Sequence, residues 1–402
     1  MKKKLLLVTG AGASIDFGFP SVAKIDGLLT KYAASTCNCP CLSDPYTYLK
    51  SCIGYKHDNT SFNYEELLYL MERIENSQTE CNDDVSRKLF LLSPSFCRVF
   101  LNSYRNLRSI LIDKLLDYMR TRSQAWRNDP QLFNKFQKFQ HFLLYSIQKD
   151  YDISFVTTNY DNILTEIFPK HNTGFDKHGV FQRARLYNDP KWNKGVYLHG
   201  SVHFNMRDPS GVNPHTIFWE KNLASNFNQN SFGRSKVYTP EGNQILSSTI
   251  IAGLDKTKQL LKEPFLQYYT LLDRLVFEAD AILFIGYGFN DIHLNNVFSA
   301  LTVKSKHKKK VVVIDFKNNE INPMEYAQNN KWNRAVQYTL SFDAANLRHK
   351  KGKTKYEIAT SPEKLKKLKI LEYAKGTHHN VALWYDGLMS ACEHADRIIK
   401  HL

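Results

Sequence analysis

The first regular element that the sequence predicts is the apolar run Leu5-Leu6-Leu7-Val8, which is followed directly by Thr9-Gly10-Ala11-Gly12. An uninterrupted apolar run that ends in a glycine-rich turn is typical of a parallel strand buried on both faces. Further short apolar runs occupy 153–157, 195–198, 281–285 and 311–314, with helical patterns between several of them. Strands that alternate with helices predict an α/β fold with a doubly wound parallel sheet, in which ligands bind beyond the carboxyl ends of the strands.

A helical insertion is predicted between the first two strands. Leu107, Leu111 and Leu115 recur at intervals of four, which is the pattern of one buried helical face. Similar spacing continues over 64–76 and 131–149. We therefore expect a core made of residues 1–35 and 151–320, a mainly helical insertion at 36–150, and a basic C-terminal extension at 321–402 whose last helix lies near 383–399.

The charge balance leaves several kinds of partner open. The 402 residues carry 54 Lys and Arg against 39 Asp and Glu, a net charge of +15, with basic blocks at 304–310 and 348–369. Such blocks attract nucleic acid, another polyanion or an acidic protein, and they also occur as simple solvated surface. Nucleic-acid binding is therefore possible but is not specifically indicated.

Location and metal content follow from what the sequence lacks. No apolar run approaches the roughly 18 residues that a membrane span needs, and the apolar run at 5–8 is too short for a signal peptide. We expect a cytoplasmic protein that does not enter the membrane. The seven cysteines are typical of reduced thiols. Cys37, Cys39, Cys41 and Cys52 have no zinc-ribbon spacing, so no metal is expected, although a thiolate site in this loop is the alternative.

Glycine and small polar residues follow the predicted strands where a ligand would bind. Gly10 and Gly12 remove side chains where a backbone approaches a diphosphate, and a helix starting after them would offer N–H groups to it. A tight turn without a ligand is the competing interpretation. The dinucleotide fingerprint G-x-G-x-x-G would need glycine where this chain has Ile15, which disfavours an ordinary dehydrogenase.

Three motifs in order resemble the sirtuin family. The segment from Gly10 to Pro20 resembles the family's G-A-G-x-S-x-x-x-G-I-P, Thr158-Asn159-Tyr160-Asp161 resembles T-Q-N-x-D, and His199-Gly200 resembles the catalytic H-G. The resemblance implies a Rossmann-like core that binds NAD as its substrate. It implies catalytic roles for Asn159, His199 and Asp161. The NAD-binding residues that it implies are Gly10, Ala11, Gly12, Ser14, Gly18, Pro20, Thr158, Gly286, Tyr287 and Asp315.

The roles of these residues also follow from their chemistry. Histidine is a residue type that titrates near neutrality, so His199 is suited to accept a proton from water or a ribose hydroxyl. The amide of Asn159 is suited to hold that group in place. Asp161 is expected to brace the loop or orient a partner. Each has a structural alternative, since histidine before glycine is common in turns and Asn159 could cap a helix. Asp291 is expected to cap a helix that starts at residue 292, and Asp315 could bind an adenosine ribose or belong to a surface turn.

Departures from the sirtuin pattern point to a particular subgroup. Ser21 and Val22 follow Pro20, where typical sirtuins carry phenylalanine and arginine, and only Cys392 follows His199, where sirtuins carry two C-x-x-C pairs. The helical insertion and the segment 286–293 resemble sirtuin-like effectors of bacterial antiphage defence. The resemblance implies an NAD glycohydrolase that depletes NAD in abortive infection. It also implies a homo-oligomer and a regulatory partner protein, such as a hexameric ATPase or a phage sensor.

Three other functions remain open at the level of sequence. One is a non-catalytic NAD sensor, which would bind NAD tightly without turnover. A protein deacylase would share the cleavage of nicotinamide from NAD but would need a cleft for acyl-lysine. A nucleic-acid-binding or nuclease effector would use the basic surface, with the nucleotide pocket as its regulatory site.

Overall fold

The computed structural model describes most of the predicted core and part of the predicted insertion. The described residues are 2–36, 46–47, 49–50, 64–79, 94–207, 216–224, 231–232, 247–252, 262–304, 309–316, 331–340, 370–375 and 379–402. The loop cysteines Cys37, Cys39, Cys41 and Cys52 and nearly all of the two basic blocks lie outside these residues.

Strands and helices alternate along the described chain. The strands are β1 (Lys3–Thr9), β2 (Tyr151–Thr157), β3 (Gly195–Tyr197), β4 (Phe204–Arg207), β5 (Thr216–Trp219), β6 (Ser231–Phe232), β7 (Ser247–Ser248), β8 (Ala281–Ile285), β9 (Lys309–Ile314), β10 (Ile370–Lys375) and β11 (His379–Trp384). The helices are α1 (Val22–Thr36), α2 (Tyr64–Thr79), α3 (Pro94–Ala125), α4 (Pro130–His141), α5 (Ile163–Ile167), α6 (Arg183–Asn188), α7 (Phe265–Glu278), α8 (Ile292–Lys304), α9 (Lys331–Leu340), α10 (Gly387–Glu393) and α11 (Ala395–Ile399).

Seven strands form one sheet in the order β10-β11-β9-β8-β1-β2-β3. All neighbouring strands run parallel except β10, which is antiparallel to β11. The predicted fold class is therefore confirmed, and each of the five predicted strands belongs to this sheet. Leu5, Leu6, Leu7 and Val8 in the middle of the sheet are 0% exposed, as a strand covered by helices on both faces requires.

The sheet extends beyond the C-terminal boundary predicted at residue 320. β11 pairs in parallel with β9, and β10 completes that edge of the sheet. β10 and β11, within the segment 321–402, thus join the sheet, and the bounds of the predicted basic extension remain a prediction. The predicted last helix is replaced by the end of β11 and by the short helices α10 and α11. The apolar run Val381-Ala382-Leu383-Trp384 is short and follows a long basic segment, so its strand character was hidden in the composition.

The glycine turn after β1 also differs from expectation. The predicted helix start is replaced by two single turns of 3-10 helix at Ala11–Ala13 and Ile15–Phe17, and α1 begins only at Val22. Gly18, with φ of 81°, ends the second turn in the left-handed region. In these two tight turns, backbone N–H groups donate to carbonyls within the turn. The first N–H groups of a regular helix would be unpaired.

The predicted insertion contains long helices, as its periodicity indicates. α1, α2 and α3 pack on one another, and α4 packs against the turn at Ile15–Phe17 and against α10. α4 thus contacts elements from both ends of the chain. The boundaries of the insertion remain a prediction. None of the helices in the described part of the chain combines the length and apolar character needed to cross a bilayer.

The turns after β1 and β8 meet where the chain reverses its direction of winding. β2 lies on one side of β1 and β8 on the other, and the crevice at such a point is where doubly wound sheets bind ligands. The N–H of Gly10 donates to the carbonyl of Ile285 (3.1 Å), and that of Gly12 donates to the carbonyl of Gly286 (3.0 Å). A Cβ on Gly286 would lie 2.2 Å from the backbone nitrogen of Ala13, so only glycine fits there.

We expect Gly286→Ala to destabilise the protein by about 2–5 kcal/mol, because alanine would combine a left-handed backbone with a collision against backbone atoms. Gly286 has φ of 58°. Gly27 in α1 is the matched control, because a Cβ there meets nothing within 4 Å. Gly27→Ala should stabilise the chain by about 0.5–1 kcal/mol through helix propensity. Urea unfolding of both variants measures the difference, and equal stability of the two would contradict the packing described here.

Candidate functional site

Asn159 lies just beyond β2 and reaches across to the turn that follows β1. Its Nδ2 donates to the carbonyl of Gly10 (2.8 Å) and to Ser14 Oγ (2.8 Å). Its backbone N–H donates to Thr157 Oγ1 (3.0 Å), which fixes the loop at the end of the strand. Both hydrogens of the amide nitrogen are engaged, so any role in holding a substrate group falls to the amide oxygen, Oδ1.

Asp161 is hydrogen-bonded to the same turn through Ser14. Ser14 Oγ donates to Asp161 Oδ2 (2.5 Å), and the N–H of Ile163 donates to Oδ1 (3.0 Å). Burial raises the pKa of this carboxyl group, which is 5% exposed, while the hydrogen bonds from Ser14 and from the backbone oppose that rise. These contacts fit the expected bracing role, because Asp161 positions Ser14 and Ser14 in turn accepts from Asn159.

The N–H groups of the glycine turn already donate to backbone carbonyls. The N–H groups of Gly12, Ala13 and Ser14 donate to the carbonyls of Gly286 (3.0 Å), Gly10 (2.9 Å) and Ala11 (3.1 Å), respectively. A Cβ on Gly10 or Gly12 would come within 2.8 Å of atoms of Gly286. Close packing between two turns is thus sufficient to require both glycines, and their contact with a diphosphate remains a prediction.

His199 follows β3, the neighbour of β2. The N–H of Leu198 donates to the carbonyl of Thr157 (3.0 Å), and the His199 carbonyl accepts from the N–H of Ile251 (2.9 Å). Gly200, with φ of 99°, turns the chain directly afterwards. A Cβ on Gly200 would lie 2.4 Å from the carbonyl oxygen of Thr249, which explains why glycine follows the histidine.

The imidazole of His199 pairs with a carboxylate from a distant part of the chain. His199 Nε2 lies 2.9 Å from Asp291 Oδ2, and the two side chains are 6% and 8% exposed. Asp291 Oδ1 also accepts from the N–H groups of His293 (3.0 Å) and Leu294 (3.3 Å). The predicted cap of the helix that starts at Ile292 is therefore confirmed, and its contact with His199 is additional.

The structure brings the predicted catalytic residues together in two linked groups. Ser14, Asn159 and Asp161 form one group, and His199 with Asp291 forms the other. Tyr160 lies between Asn159 and Asp161, and its OH donates to the carbonyl of Ile251 (3.3 Å). The N–H of Ile251 donates to the backbone carbonyl of His199, so Ile251 connects the backbones of the two groups. Both groups lie at the carboxyl ends of neighbouring parallel strands.

The predicted NAD-binding residues lie in several different environments. Gly10, Ala11, Gly12, Ser14 and Gly286 form the contact between the two turns described above. Thr158 is at the end of β2, where its N–H donates to the carbonyl of Thr9 (3.1 Å), and Pro20 is buried. The ring of Tyr287 packs in the core 5.9 Å from that of Phe284, so only its backbone borders the turn.

The remaining two predicted binding residues are fixed by backbone contacts. Gly18 accepts from Nε (3.1 Å) and Nη2 (2.8 Å) of Arg122, a residue of α3. Asp315 follows β9, and its N–H donates to the carbonyl of Trp384 (2.8 Å) while its Oδ1 accepts from the N–H of Phe316 (2.8 Å).

Sequence reasoning missed two contacts of this site. The pairing of Asp291 with His199 had no local signal, because 92 positions separate the residues. The hydrogen bonds from Arg122 to Gly18 were not predicted. These bonds join residues 104 positions apart, so they too had no local signal in the sequence.

The site contains the imidazole of His199, the fixed amide of Asn159 and the buried carboxyl groups of Asp161 and Asp291. Glycines leave the backbone of the turns without side chains. Such groups can orient a ligand and accept a proton. Among the described residues, no three His, Cys, Asp or Glu side chains lie close enough together to hold a metal ion.

His203, four residues after His199, is part of the core rather than of this site. Its ring stacks on Trp219 with 4.6 Å between centroids, and its Nδ1 lies 2.8 Å from the carbonyl of Glu220. Burial lowers the pKa of His203 to about 4. The ring is therefore neutral in the folded protein at neutral pH.

We expect the protein to lose stability as pH falls from about 6.5, where an unfolded histidine titrates, because the unfolded chain binds a proton that buried His203 does not bind until about pH 4. His203 should account for about 3 kcal/mol of that loss. His203→Gln should flatten the pH dependence of the free energy of unfolding, measured by urea titration between these pH values. The exposed His178, changed to Gln, is the control. An unchanged pH dependence in His203→Gln would contradict this expectation.

Comparison with known proteins gives one family match. A search of curated proteins found no match. Among solved structures, a complex of a Sir2 homolog with NAD is 13% identical, with a TM-score of 0.33 over 85% of this chain and 89% of that chain. The structure of Sir2Tm bound to a propionylated peptide is 11% identical, with a TM-score of 0.31 over 79% of this chain and 83% of that chain.

The family model that matches is described as a SIR2-like domain, and the match covers residues 153–336. These residues include β2, β3, β8 and β9 and the loops that carry Asn159, His199, Asp291 and Asp315. They exclude the glycine turn after β1. The part of the chain that bears all three predicted catalytic residues is thus the part that matches a SIR2-like domain.

Proposed function

We propose that this chain hydrolyses NAD at the bond between nicotinamide and ribose. The observation that carries the proposal is the position of Asn159 and His199, which follow two neighbouring parallel strands beside a glycine turn. The match of residues 153–336 to a SIR2-like domain supports NAD as the ligand. The products would be nicotinamide and ADP-ribose.

The chemistry of this bond suits the residues of the site. Nicotinamide leaves with the electron pair of the broken bond, which neutralises its positively charged ring nitrogen, so the leaving group needs no general acid. The ribose carbon passes through an oxocarbenium-like transition state and is attacked by water. The water supplies its hydroxyl group to that carbon and gives its proton to a base.

His199 would be that base, and Asn159 would position the ribose or the water through its amide oxygen. A general base contributes about 10²–10⁴ in rate, and correct positioning contributes a comparable factor. Asp161 would act indirectly, since it holds Ser14 and thereby the amide of Asn159.

We further propose that the activity is gated. A backbone N–H that already donates to a carbonyl can bind a phosphate oxygen only by breaking that bond. The N–H of Gly12 donates across to Gly286, and those of Ala13 and Ser14 donate within the turn after β1. Binding of the NAD diphosphate to these N–H groups would therefore require the turns after β1 and β8 to separate and the 3-10 turn at Ala11–Ala13 to open. A partner protein, such as a hexameric ATPase or a phage sensor, or assembly of several copies would favour the open form. Gating of this kind suits a cytoplasmic antiphage effector, since constant NAD hydrolysis would harm the cell.

We expect His199→Ala to lower nicotinamide release from NAD by at least about 100-fold and Asn159→Ala by about 100-fold, because the first removes the base and the second the positioning amide. The exposed His178 and Asn296 provide matched controls, and alanine at either position should leave the rate unchanged. Nicotinamide release is measured by chromatography over a range of protein concentrations. Unfolding curves establish that each variant is folded.

Two outcomes would contradict NAD hydrolysis, and a third would contradict the residues assigned to it. Release that occurs only with an acyl-lysine peptide would identify a deacylase. Nuclease activity that survives His199→Ala would favour the nucleic-acid alternative. Release that survives both Asn159→Ala and His199→Ala would place the reaction elsewhere in the chain.

A further inference from the structure

Asp291 uses its two carboxylate oxygens for two different purposes. Oδ1 accepts from the N–H groups of His293 (3.0 Å) and Leu294 (3.3 Å) at the start of α8. Oδ2 lies 2.9 Å from Nε2 of His199. The helix cap therefore fixes the rotation of the carboxylate, and that rotation aims the second oxygen at the imidazole.

This arrangement determines which nitrogen of His199 carries the proton. An ionised carboxylate can only accept a hydrogen bond, so Nε2 must be the donor. A neutral imidazole has one N–H group, and its lone pair is then on Nδ1.

The cap alone does not explain an aspartate at this position. Asparagine and serine cap helices about as well as aspartate, and neither needs an ionised second oxygen to do so. Only a carboxylate both caps the helix and accepts from Nε2. The side chains of the pair are 6% and 8% exposed, so water competes little for this contact.

We propose that Asp291 is a positioning residue that holds the proton of His199 on Nε2 and makes Nδ1 the nitrogen that accepts the proton from water. This inference rests on the proposed NAD hydrolysis for its kinetic consequence. The tautomer itself is a property of the protein alone and can be measured without NAD.

Two substitutions separate the positioning role from the cap. In Asp291→Asn, the cap keeps the amide oxygen on the helix N–H groups and turns the NH₂ toward Nε2, which forces the proton to Nδ1. Asp291→Ser keeps a capping hydroxyl but is too short to reach His199. Both variants should melt within about 5 °C of the wild type, because both residues are good caps.

The first measurement is the tautomer of His199 in the full chain, with histidine labelled with ¹⁵N at both ring nitrogens and spectra recorded above pH 8. The His199 signals are assigned by their loss in His199→Gln. We expect the Nε2–H form in the wild type, the Nδ1–H form in Asp291→Asn, and a mixture in Asp291→Ser. An Nδ1–H wild type, or the same tautomer in all three proteins, would overturn the proposal.

The second measurement is the steady-state kinetics of nicotinamide release. We expect Asp291→Asn to lower kcat by about 10²–10⁴, as the wrong tautomer does in a Ser-His-Asp triad, while KM for NAD changes less than about threefold. Asp291→Ser should lose less activity than Asp291→Asn, although it removes more of the side chain. A wild-type kcat in Asp291→Asn, or a change in KM alone, would overturn the role in the reaction.

The two measurements also distinguish this inference from the proposed function. If nicotinamide release survives both Asn159→Ala and His199→Ala but the tautomer switches in Asp291→Asn, the proposed role of His199 in NAD hydrolysis fails and the control of His199 by Asp291 stands. If nicotinamide is released but the tautomer does not respond, the proposed function stands and this inference fails.

Discussion

The site depends on one close contact, in which the turns after β1 and β8 meet backbone to backbone at the carboxyl edge of the sheet. The contact leaves no room for a Cβ on Gly10, Gly12 or Gly286. It is possible only because β1 and β8 are neighbouring strands, with Thr9 opposite Ile285. The buried sheet thus sets the spacing of the turns. The turns in turn set the position of Ser14, which is hydrogen-bonded to Asn159 and to Asp161.

The polar groups of the site lie in an environment where unpaired groups are costly. A buried carboxyl group loses its hydration, and hydrogen bonds in its surroundings must compensate for that loss. Asp161 accepts from a hydroxyl and a backbone N–H, and Asp291 accepts from two backbone N–H groups and lies against His199. These bonds restrict each side chain to one orientation. The order of the site is therefore a consequence of its burial as well as a condition for chemistry.

The described part of the predicted insertion contributes to the site although it carries none of the predicted catalytic residues. Arg122 of α3 donates two hydrogen bonds to the carbonyl of Gly18, and Phe17 stacks on Phe139 of α4 at 5.7 Å. The turn that precedes α1 is thus held by helices far from it in sequence.

The sequence by itself determined the parallel sheet, its five predicted strands and the positions of Asn159, Asp161 and His199 at strand ends. These features are local, because an apolar run ending in glycine or small polar residues specifies a buried strand and its turn without reference to the rest of the chain. Only the tertiary structure decided that β10 and β11 join the sheet, that Tyr287 points into the core and that Asp291 pairs with His199. Each of these is a contact between segments far apart in sequence, and such contacts are fixed by how whole elements pack rather than by the residues next to them.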